Sequence, residues 1–443
     1  MVNRRWDVLV VGAGAAGLAA AERLTGGGRT VAVLDARPFV GGRIRTRRVR
    51  GFPLPIELGA EFVHGRSREI FDISAAAGLA VDRLANIHLL ASSAGFRPHN
   101  DFWERFERVT GRMRRTGQDR SVAEFLRGQR SFSSEQRRLA TSMVQGYHAA
   151  PLEEASEHAL STAGEDESSE DRHAQFRVAS GYDGITDWLR SRLDRRLCRL
   201  FLSESVREVR WRRGRVTIRT ENGRDFHASR AVVTVPVGVL KAAADGPGGI
   251  RFDPVPPNLR RALRGIEMAR VVKVVLRFRE MFWADEGFLE KRLAPTAESD
   301  GELGFLHDWT AAFPTWWTAS PTQVPLITAW AGGPAADALR GLKGPALLSK
   351  ACRSLGRLLQ VDSGRLRRGL ADWHYHDWNA DPFSRGAYSF VRVGGSRSPA
   401  LFARPVAGTL FFAGEATSAD QSGTVQGAIE TGRRAADQIL GRR

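Results

Sequence analysis

The chain has 443 residues, of which 42 % are hydrophobic and 26 % charged, a composition typical of a soluble folded protein with two domains or one large one. Its two cysteines, Cys198 and Cys352, lie far apart and its histidines form no ligand pattern, so we predict neither a disulfide framework nor a metal site. The net charge of +17 comes mostly from scattered arginines without an interleaved aromatic stripe, which favours a solvated surface, and we predict no nucleic-acid partner.

The first apolar stretch resembles a secretion signal only superficially. It follows Arg4 and Arg5, but it lacks a convincing cleavage site, and its glycines fit a folded domain better. No apolar run has the length of a membrane span, and few cysteines are compatible with a reducing cytosol, so we expect a cytoplasmic protein without a membrane partner. An acidic stretch, Glu153–Asp171, opposes the positive charge locally, and its role stays open.

In chain order, the N-terminal segment predicts a strand, a glycine turn, a helix and a second strand. The apolar run at 8–11 is followed by GAGAAG, by Ala-rich helical sequence through Leu24, and by the apolar run at 31–34. The rest of the chain predicts a mostly helical region at 66–175, β structure over Val206–Val235, a strand at Val271–Phe278, a helix near 345–360, a strand at Leu410–Ala413 and a final helix.

The glycine turn has the spacing of a dinucleotide-binding site. Gly12 permits the tight turn, Gly14 lets the backbone approach a pyrophosphate, and Gly17 allows the helix to pack closely on the strand. Asp35, at the end of the second strand, would accept hydrogen bonds from the ribose hydroxyls of an adenosine. This order of elements makes the pattern more specific than an isolated GxGxxG.

A lysine interrupts the apolar run of the predicted strand Val271–Phe278. On a strand, Val271, Lys273 and Val275 share one face, so Lys273 lies among β-branched residues. Burial of its ammonium would be costly without a partner. The alternative is an edge strand whose lysine reaches solvent.

The segments after Asp35, DAR…GGR and IELGAEFVHG (Ile56–Gly65), resemble those of the flavin-containing amine oxidases, a family that includes monoamine oxidases, polyamine oxidases and lysine-specific histone demethylases. The likeness is closest to polyamine oxidases in the GA-x-x-x-HG pattern. Further segments resemble the family in the right order: ESVREVRW with AVVTVPVGVLK, RVVKVVLRFREMFW, WNADPFSRGAYSF and LFFAGEATSADQSGTVQGAIETG. Only the region 66–175 matches weakly.

The resemblance implies an FAD site and a set of residues that bind it. FAD is expected to be noncovalent, because Ala387 stands where monoamine oxidases place the cysteine that bonds the flavin. The residues expected to bind FAD are Gly12, Gly14, Ala15, Gly17, Asp35, Ala36, Arg37, Gly42, Arg43, Leu58, Gly59, Ala60, Glu61, Val206, Trp378, Gly414, Glu415, Gly423, Thr424 and Val425. Among them, Glu61 has two alternative roles, binding a cationic substrate or capping a turn.

The resemblance also implies catalytic candidates. Lys273 matches the lysine that holds a water near the flavin, His64 a histidine near the substrate nitrogen, and Tyr388 an aromatic residue beside the flavin. Thr424 stands where monoamine oxidases have a second tyrosine, so the aromatic cage is expected to be half open. By itself, a loop histidine such as His64 is more often a surface residue.

The expected fold is α/β, with a discontinuous Rossmann-like FAD-binding domain (1–70, 180–255 and 370–443) and an α+β substrate-binding domain with a mixed sheet and helices (71–179 and 256–369). The expected activity is oxidation of a primary or secondary, polyamine-like amine, with O2 reduced to hydrogen peroxide and the imine hydrolysed to an aldehyde or ketone. The alternatives are an L-amino-acid oxidase, a flavin-dependent desaturase or isomerase, and a partner-binding flavoprotein like the histone demethylases. The sequence names neither the amine nor the oligomeric state.

Overall fold

A computed structural model describes residues 5–99, 101–162, 173–285, 287–295 and 302–442. Residues 163–171 of the acidic stretch lie outside this part of the chain. Within the described residues, the larger sheet has eight strands. In spatial order these are Cys198–Phe201, Val31–Leu34, Arg5–Val11, Asp225–Val233, Arg215–Thr220, Val206–Arg212 and Arg251–Asp253, with Leu410–Phe412 parallel to the end of Asp225–Val233.

The first predicted strand is central in this sheet and is buried on both faces. Val8 and Val10 pack into one apolar core, whereas Leu9 and Val11 pack into another on the opposite face. This alternation follows from the two-residue period of a strand. Helices cover the first face, namely Ala15–Gly26, Asp183–Ser191 and Val425–Leu440.

A second, mixed sheet has seven strands in the described part of the chain. In spatial order these are Leu370–Tyr375, Val271–Phe278, Leu326–Gly332, Thr315–Thr318, Phe305–His307, His88–Ser92 and Gly95–Pro98. The pairs are antiparallel except Phe305–His307 with His88–Ser92, which are parallel. Helix Gly344–Leu359 packs on one face of this sheet.

The predicted division of faces on Val271–Phe278 is confirmed. Val272, Val274 and Leu276 pack into the core under helix Gly344–Leu359, and Lys273 lies on the other face. The strand is paired on both sides, so Lys273 is not an edge lysine, and it is only 5 % exposed.

Shorter elements complete the fold. Small sheets pair Thr46–Arg47 with Ile56–Glu57, Ile266–Met268 with Ser389–Val391, and Gln175–Val178 with both Phe62–His64 and Val81–Arg83. Further α-helices are Arg68–Ala77, Phe102–Thr110, Val122–Gly128, Ser134–Ser142, Glu157–Thr162, Val237–Leu240, Leu259–Arg264, Gly333–Ala338, Ser363–Gly369 and Ser398–Phe402. One π-helical turn, Met143–Tyr147, continues Ser134–Ser142, and 3₁₀ turns lie at Phe282–Ala284, Glu290–Arg292 and Glu415–Thr417. No helix of the described residues is long and apolar enough to cross a membrane.

Two sequence-based expectations about secondary structure are corrected. The region 66–175 contains helices but also the strands Val81–Arg83, His88–Ser92 and Gly95–Pro98. Within residues 257–370, the sequence also predicts aromatic loops, but the strands Phe305–His307 and Thr315–Thr318 lie there. These strands are short, and their partners are distant in sequence, so local periodicity does not identify them. The division into two domains stays a proposal, and its boundary at 370 would separate Leu370–Tyr375 from the sheet in which it pairs.

Candidate active site

A first cavity lies at the carboxyl ends of the central strands of the larger sheet, the usual position of ligand sites in such folds. The sequence-predicted residues that line it are Gly12, Gly14, Ala15, Asp35, Ala36, Arg37, Gly42, Arg43, Leu58, Gly59, Ala60, Glu61, His64, Val206, Lys273, Trp378, Tyr388, Gly414, Glu415, Gly423, Thr424 and Val425. Gly17 lies behind the cavity instead. A Cβ atom on Gly17 would stand 1.9 Å from the carbonyl oxygen of Gly12, which confirms its predicted role in close packing.

Two glycine turns meet at one end of this cavity. Gly12 has φ +107°, and a Cβ atom on it would lie 2.6 Å from Thr234 Oγ1. A Cβ atom on Gly42 (φ +62°) would lie 3.2 Å from the Cα atom of Gly14. Side chains on these turns would fill the space that a bound group needs against the backbone.

The helix Ala15–Gly26 begins at the same place. Its N-cap residue, Gly14, provides no side-chain hydrogen bond, and the first turn contains no acidic residue. The N–H groups of this turn have no partner within the helix, and they favour a negatively charged ligand. The arrangement fits the pyrophosphate of a dinucleotide.

Asp35 is held rigidly beside this turn. Its Oδ2 accepts a hydrogen bond from the Ala13 N–H at 2.6 Å, and its Oδ1 accepts one from the Arg37 N–H at 2.8 Å. Burial raises the pKa of Asp35, and these hydrogen bonds offset part of that effect. Each carboxylate oxygen can accept a further hydrogen bond, as a ribose hydroxyl requires.

Glu415 connects three distant segments of the chain. Its Oε1 accepts a hydrogen bond from Arg43 at 2.9 Å, and its Oε2 accepts hydrogen bonds from the Ser389 hydroxyl at 2.6 Å and the Gly423 N–H at 3.1 Å. The Ser389 N–H also donates to Oε2, at 3.3 Å. Glu415 therefore holds the walls of the cavity together in addition to lining it.

Trp378 and Arg37 are fixed at two other places along the cavity. The indole N–H of Trp378 donates to the Leu58 carbonyl at 2.7 Å, and its ring lies against Gly59, where a Cβ atom would be 3.1 Å from it. Arg37 forms an ion pair with Asp381 at 2.9 Å, and burial of the pair is nearly complete. These contacts restrict the movement of both side chains.

Lys273 and Glu61 form a buried ion pair in the first cavity. Lys273 Nζ lies 2.6 Å from Glu61 Oε2 and donates to the Gly59 carbonyl at 3.2 Å. Arg177 and the Trp317 indole N–H both bind Glu61 Oε1, at 2.7 Å and 3.1 Å. Burial alone would raise the pKa of Glu61, but the two cations lower it to about 2. Glu61 is thus ionised and already engaged, which argues against the alternative that it binds a cationic substrate directly.

Glu57 is a buried carboxyl group that the sequence did not single out. It accepts hydrogen bonds from the Tyr182 N–H at 2.7 Å and the Thr46 hydroxyl at 2.8 Å. Burial raises its pKa to about 7, despite those hydrogen bonds and the attraction of Lys273. Near neutral pH the protonated and the ionised forms of this group are therefore both populated.

A second cavity, of about 600 Å³, opens beside the first. Aromatic side chains dominate its lining, among them Phe102, Trp103, Tyr147 and Phe305. Residues that line both cavities are Phe62, His64, Trp317, Trp330, Tyr388, Gly423 and Thr424. Three of the four catalytic candidates from the sequence thus lie at the junction of the two cavities.

Tyr388 and Trp330 form a pair of nearly parallel rings at this junction. Their centroids are 6.4 Å apart and their planes differ by 11°. The Tyr388 hydroxyl donates to the Tyr147 carbonyl at 2.6 Å, and the Trp330 indole N–H donates to the Gly146 carbonyl at 2.9 Å. Both acceptors belong to the π-helical turn, an element often found at functional sites. Trp330 is therefore a second aromatic residue beside Tyr388, and the sequence interpretation did not identify it.

His64 and Thr424 contribute differently from each other. Burial lowers the pKa of His64 to about 4, so its imidazole is neutral. The Thr424 hydroxyl donates to the Gln421 carbonyl at 2.7 Å and accepts from the Gly427 N–H at 3.1 Å, which caps the helix Val425–Leu440. Because its hydroxyl is used in the cap, Thr424 forms part of the wall rather than a reacting group.

Sequence reasoning missed Arg177, Trp317, Trp330 and Phe62. Arg177 and Phe62 lie on paired short strands, and Trp317 and Trp330 lie on adjacent strands of the second sheet. The TWWT and LITAWAG segments show no two-residue alternation, and the direction in which their side chains face depends on pairings between distant segments.

Comparison with known proteins identifies the family. Residues 15–440 match the family described as flavin containing amine oxidoreductase. The chain is 28 % identical to polyamine oxidase 3 of Oryza sativa subsp. japonica, over 98 % of this chain and 88 % of that protein. It is also 28 % identical to lysine-specific histone demethylase 1 homolog 2 of Arabidopsis thaliana, over 98 % of this chain but 58 % of that protein.

Solved structures show the same fold. Putrescine oxidase bound to putrescine has a TM-score of 0.80 and 22 % identity, covering 99 % of this chain and 100 % of that one. Cyclohexylamine oxidase from Brevibacterium oxydans IH-35A has a TM-score of 0.79 and 20 % identity, covering 99 % of both chains. The α/β fold predicted from the sequence is therefore confirmed, and the match over residues 15–440 shows that the chain belongs to the flavin-containing amine oxidoreductase family.

Proposed function

We propose that the chain is an FAD-dependent amine oxidase that acts on a primary or secondary amine and uses O2 as the electron acceptor. The observation that carries this proposal is the junction of two cavities at His64, Tyr388 and Thr424. One cavity contains the dinucleotide turn, and the other is a largely aromatic chamber of the size of a small molecule. A cofactor and a substrate in these two cavities would meet at the three residues.

The residues of the first cavity fit FAD. The first turn of helix Ala15–Gly26 would hold the pyrophosphate, Asp35 the ribose, and the backbone at Val206 the adenine. Neither cysteine of the chain lines the cavity, whereas Ala387 does, which supports noncovalent binding. When bound there, FAD would supply the redox chemistry, namely acceptance of a hydride from the carbon next to the amine nitrogen and transfer of the two electrons to O2, with hydrogen peroxide as the product.

The surroundings of the junction favour the neutral form of the amine, the form that can give up a hydride. Aromatic side chains line both cavities there, and they solvate an ammonium ion poorly. The neutral imidazole of His64 can accept a hydrogen bond from the amine nitrogen without repelling it. The aromatic walls exclude water and fix the orientation of the substrate.

The second cavity supports a polyamine-like substrate. The carboxylates of Glu107 and Asp420 line it and would attract a second amino group of the substrate. A second candidate function is that of an L-amino-acid oxidase. The observation that favours it is that Arg115 also lines this cavity. A guanidinium group is suited to bind a substrate carboxylate in a bidentate manner.

Peroxide release from purified holoenzyme, measured with polyamines, monoamines and L-amino acids, tests the proposal. We expect activity with amines and none with amino acids. Activity confined to amino acids would favour the second candidate, and no activity with either class would refute both. Lys273→Met should slow the bleaching or the recovery of FAD absorbance at least about tenfold while FAD stays bound, whereas Lys291→Met, on an exposed turn, should change neither.

A further inference from the structure

Arg177 is a buried cation adjacent to the candidate catalytic lysine. It lies on strand Gln175–Val178 and is only 7 % exposed. Its guanidinium donates to Glu61 Oε1 at 2.7 Å and to the Ala319 carbonyl at 3.1 Å, and it lies 5.6 Å from the centre of the Phe62 ring. These contacts fix it in one orientation, so its charge stays at a constant place in the site.

Arg177 and Lys273 share a single carboxylate. Lys273 binds Oε2 of Glu61, and Arg177 binds Oε1. The Lys273 ammonium also donates to the Gly59 carbonyl, and the Gly59 backbone is itself closely packed, since a Cβ atom there would lie 1.9 Å from the Arg43 carbonyl. The place of the Lys273 ammonium therefore depends on where Glu61 is held, and Arg177 with Trp317 holds it.

The charges close to Lys273 come from three residues on two segments. Glu61 follows the strand Ile56–Glu57, Glu57 lies on that strand, and Arg177 lies on Gln175–Val178. The two carboxylates attract the ammonium, whereas Arg177 repels it and competes for Glu61. In such a dry environment, an ion within about 4–6 Å changes the proton affinity of a group by about 1–3 pH units.

We propose that Arg177 is a positioning residue for Lys273: it fixes the shared carboxylate of Glu61 and weakens the hold of that carboxylate on the ammonium proton. The consequence for amine oxidation rests on the proposed function, since it assumes that Lys273 acts beside FAD. The arrangement of the three charges, however, is a property of the protein alone and is testable without a substrate.

The test is carbon-13 NMR of protein labelled at lysine Cε, because the chain has only five lysines and Lys273→Met assigns the relevant signal. In Arg177→Gln, the titration midpoint of Lys273 should rise by about one pH unit or more, and in Glu61→Gln it should fall by a similar amount. Arg177→Lys, which keeps the charge, should stay near wild type. Arg213→Met, an exposed arginine in a hairpin turn, is the matched control and should have no effect.

Arg177→Gln removes one of the two cations that bind the buried Glu61 carboxylate. Of these variants it is therefore the one for which misfolding is the greatest concern. The double variant Arg177→Gln/Glu61→Gln lacks the carboxylate through which Arg177 acts, so loss of Arg177 should raise the midpoint less in the Glu61→Gln background than it does in wild type. An equal rise in the two backgrounds, or an Arg177→Lys shift as large as that of Arg177→Gln, would overturn the proposal. Absence of amine oxidation would refute the proposed function and leave these titrations unaffected.

For the functional consequence, reoxidation by O2 is followed in holoenzyme whose FAD has been photoreduced, so that no amine is needed. Its pH profile should shift upward in Arg177→Gln and downward in Glu61→Gln. Profiles that move in the same direction in both variants would show that packing, and not charge, is responsible.

Discussion

Replacing Glu415 by glutamine tests whether one carboxylate joins the last segment of the chain to the first. The carboxylate accepts four hydrogen bonds from Arg43, Ser389 and Gly423, and its side chain is 5 % exposed. Glutamine has the same shape but only one acceptor oxygen, and its NH2 group only donates. Both oxygens of the carboxylate accept hydrogen bonds, so in either orientation of the glutamine amide its NH2 group lies opposite hydrogen-bond donors.

The expected loss follows from the better of the two orientations. With the amide oxygen toward Ser389 and Gly423, the NH2 group faces the guanidinium of Arg43, which loses its carboxylate partner. A hydrogen bond to a charged group contributes about 1.5–3 kcal/mol, and breaking a fully buried ion pair costs about 3–5 kcal/mol. Because Arg43 is 22 % exposed and partly screened by solvent, we expect a loss of about 2–3 kcal/mol.

Thermal unfolding of the holoenzyme and FAD binding by the apoprotein measure the effect. Glu415→Gln should unfold at a lower temperature and bind FAD more weakly than wild type, because Arg43 and Gly423 both line the first cavity, where we propose that FAD binds. Glu280→Gln, at an exposed position, is the control and should match wild type. Unfolding and FAD binding equal to wild type in Glu415→Gln would refute this account of the hydrogen bonds.

Three further changes have distinct expected outcomes. Gly59→Ala places a Cβ atom 1.9 Å from a backbone carbonyl oxygen and should abolish FAD binding, whereas Gly26→Ala, with nothing within 4 Å, should leave binding and stability unchanged; equal behaviour of the two would contradict the packing argument. The pKa of Glu57 is about 7 in the folded protein, whereas the ordinary value is 4.5. Protonation of Glu57 therefore stabilises the folded state fully below pH 4.5, and this stabilisation is lost as the pH rises through 7. Glu57→Gln should therefore unfold at a higher temperature than wild type at about pH 8 and lose that advantage at about pH 5, and a pH-independent difference would exclude this linkage. Tyr388→Phe removes the hydrogen bond to the Tyr147 carbonyl but keeps the ring, so it should raise KM for the amine several-fold with FAD affinity unchanged, and an unchanged KM would show that the hydroxyl does not orient the ring.

The parts of the site that were predictable from sequence are those determined by local pattern. The glycine turn follows a strand and opens a helix, the next strand is followed by Asp35, and Gly12, Gly14 and Asp35 line one cavity. Lys273 could be assigned to one face of its strand because side chains alternate along a strand. The resemblance to the amine oxidase family extended the prediction of site residues to further segments, such as the one that contains Glu415.

The remaining features depend on contacts between distant segments. Arg177 and Glu61 are 116 residues apart in the chain and meet only because strands Phe62–His64 and Gln175–Val178 pair. Trp330 faces Tyr388 through the pairing of the second sheet and the π-helical turn, and no local pattern specifies either. The sequence interpretation therefore identified Tyr388 and Thr424 but could not identify Trp330 beside Tyr388.

Anaerobic titration of the purified holoenzyme with an amine tests the central claim most directly. We predict that at least one primary or secondary amine bleaches the visible absorbance of bound FAD in proportion to the amount of amine added. Admission of O2 should then restore the absorbance and release hydrogen peroxide. FAD that stays fully oxidised with every amine tested would contradict the account.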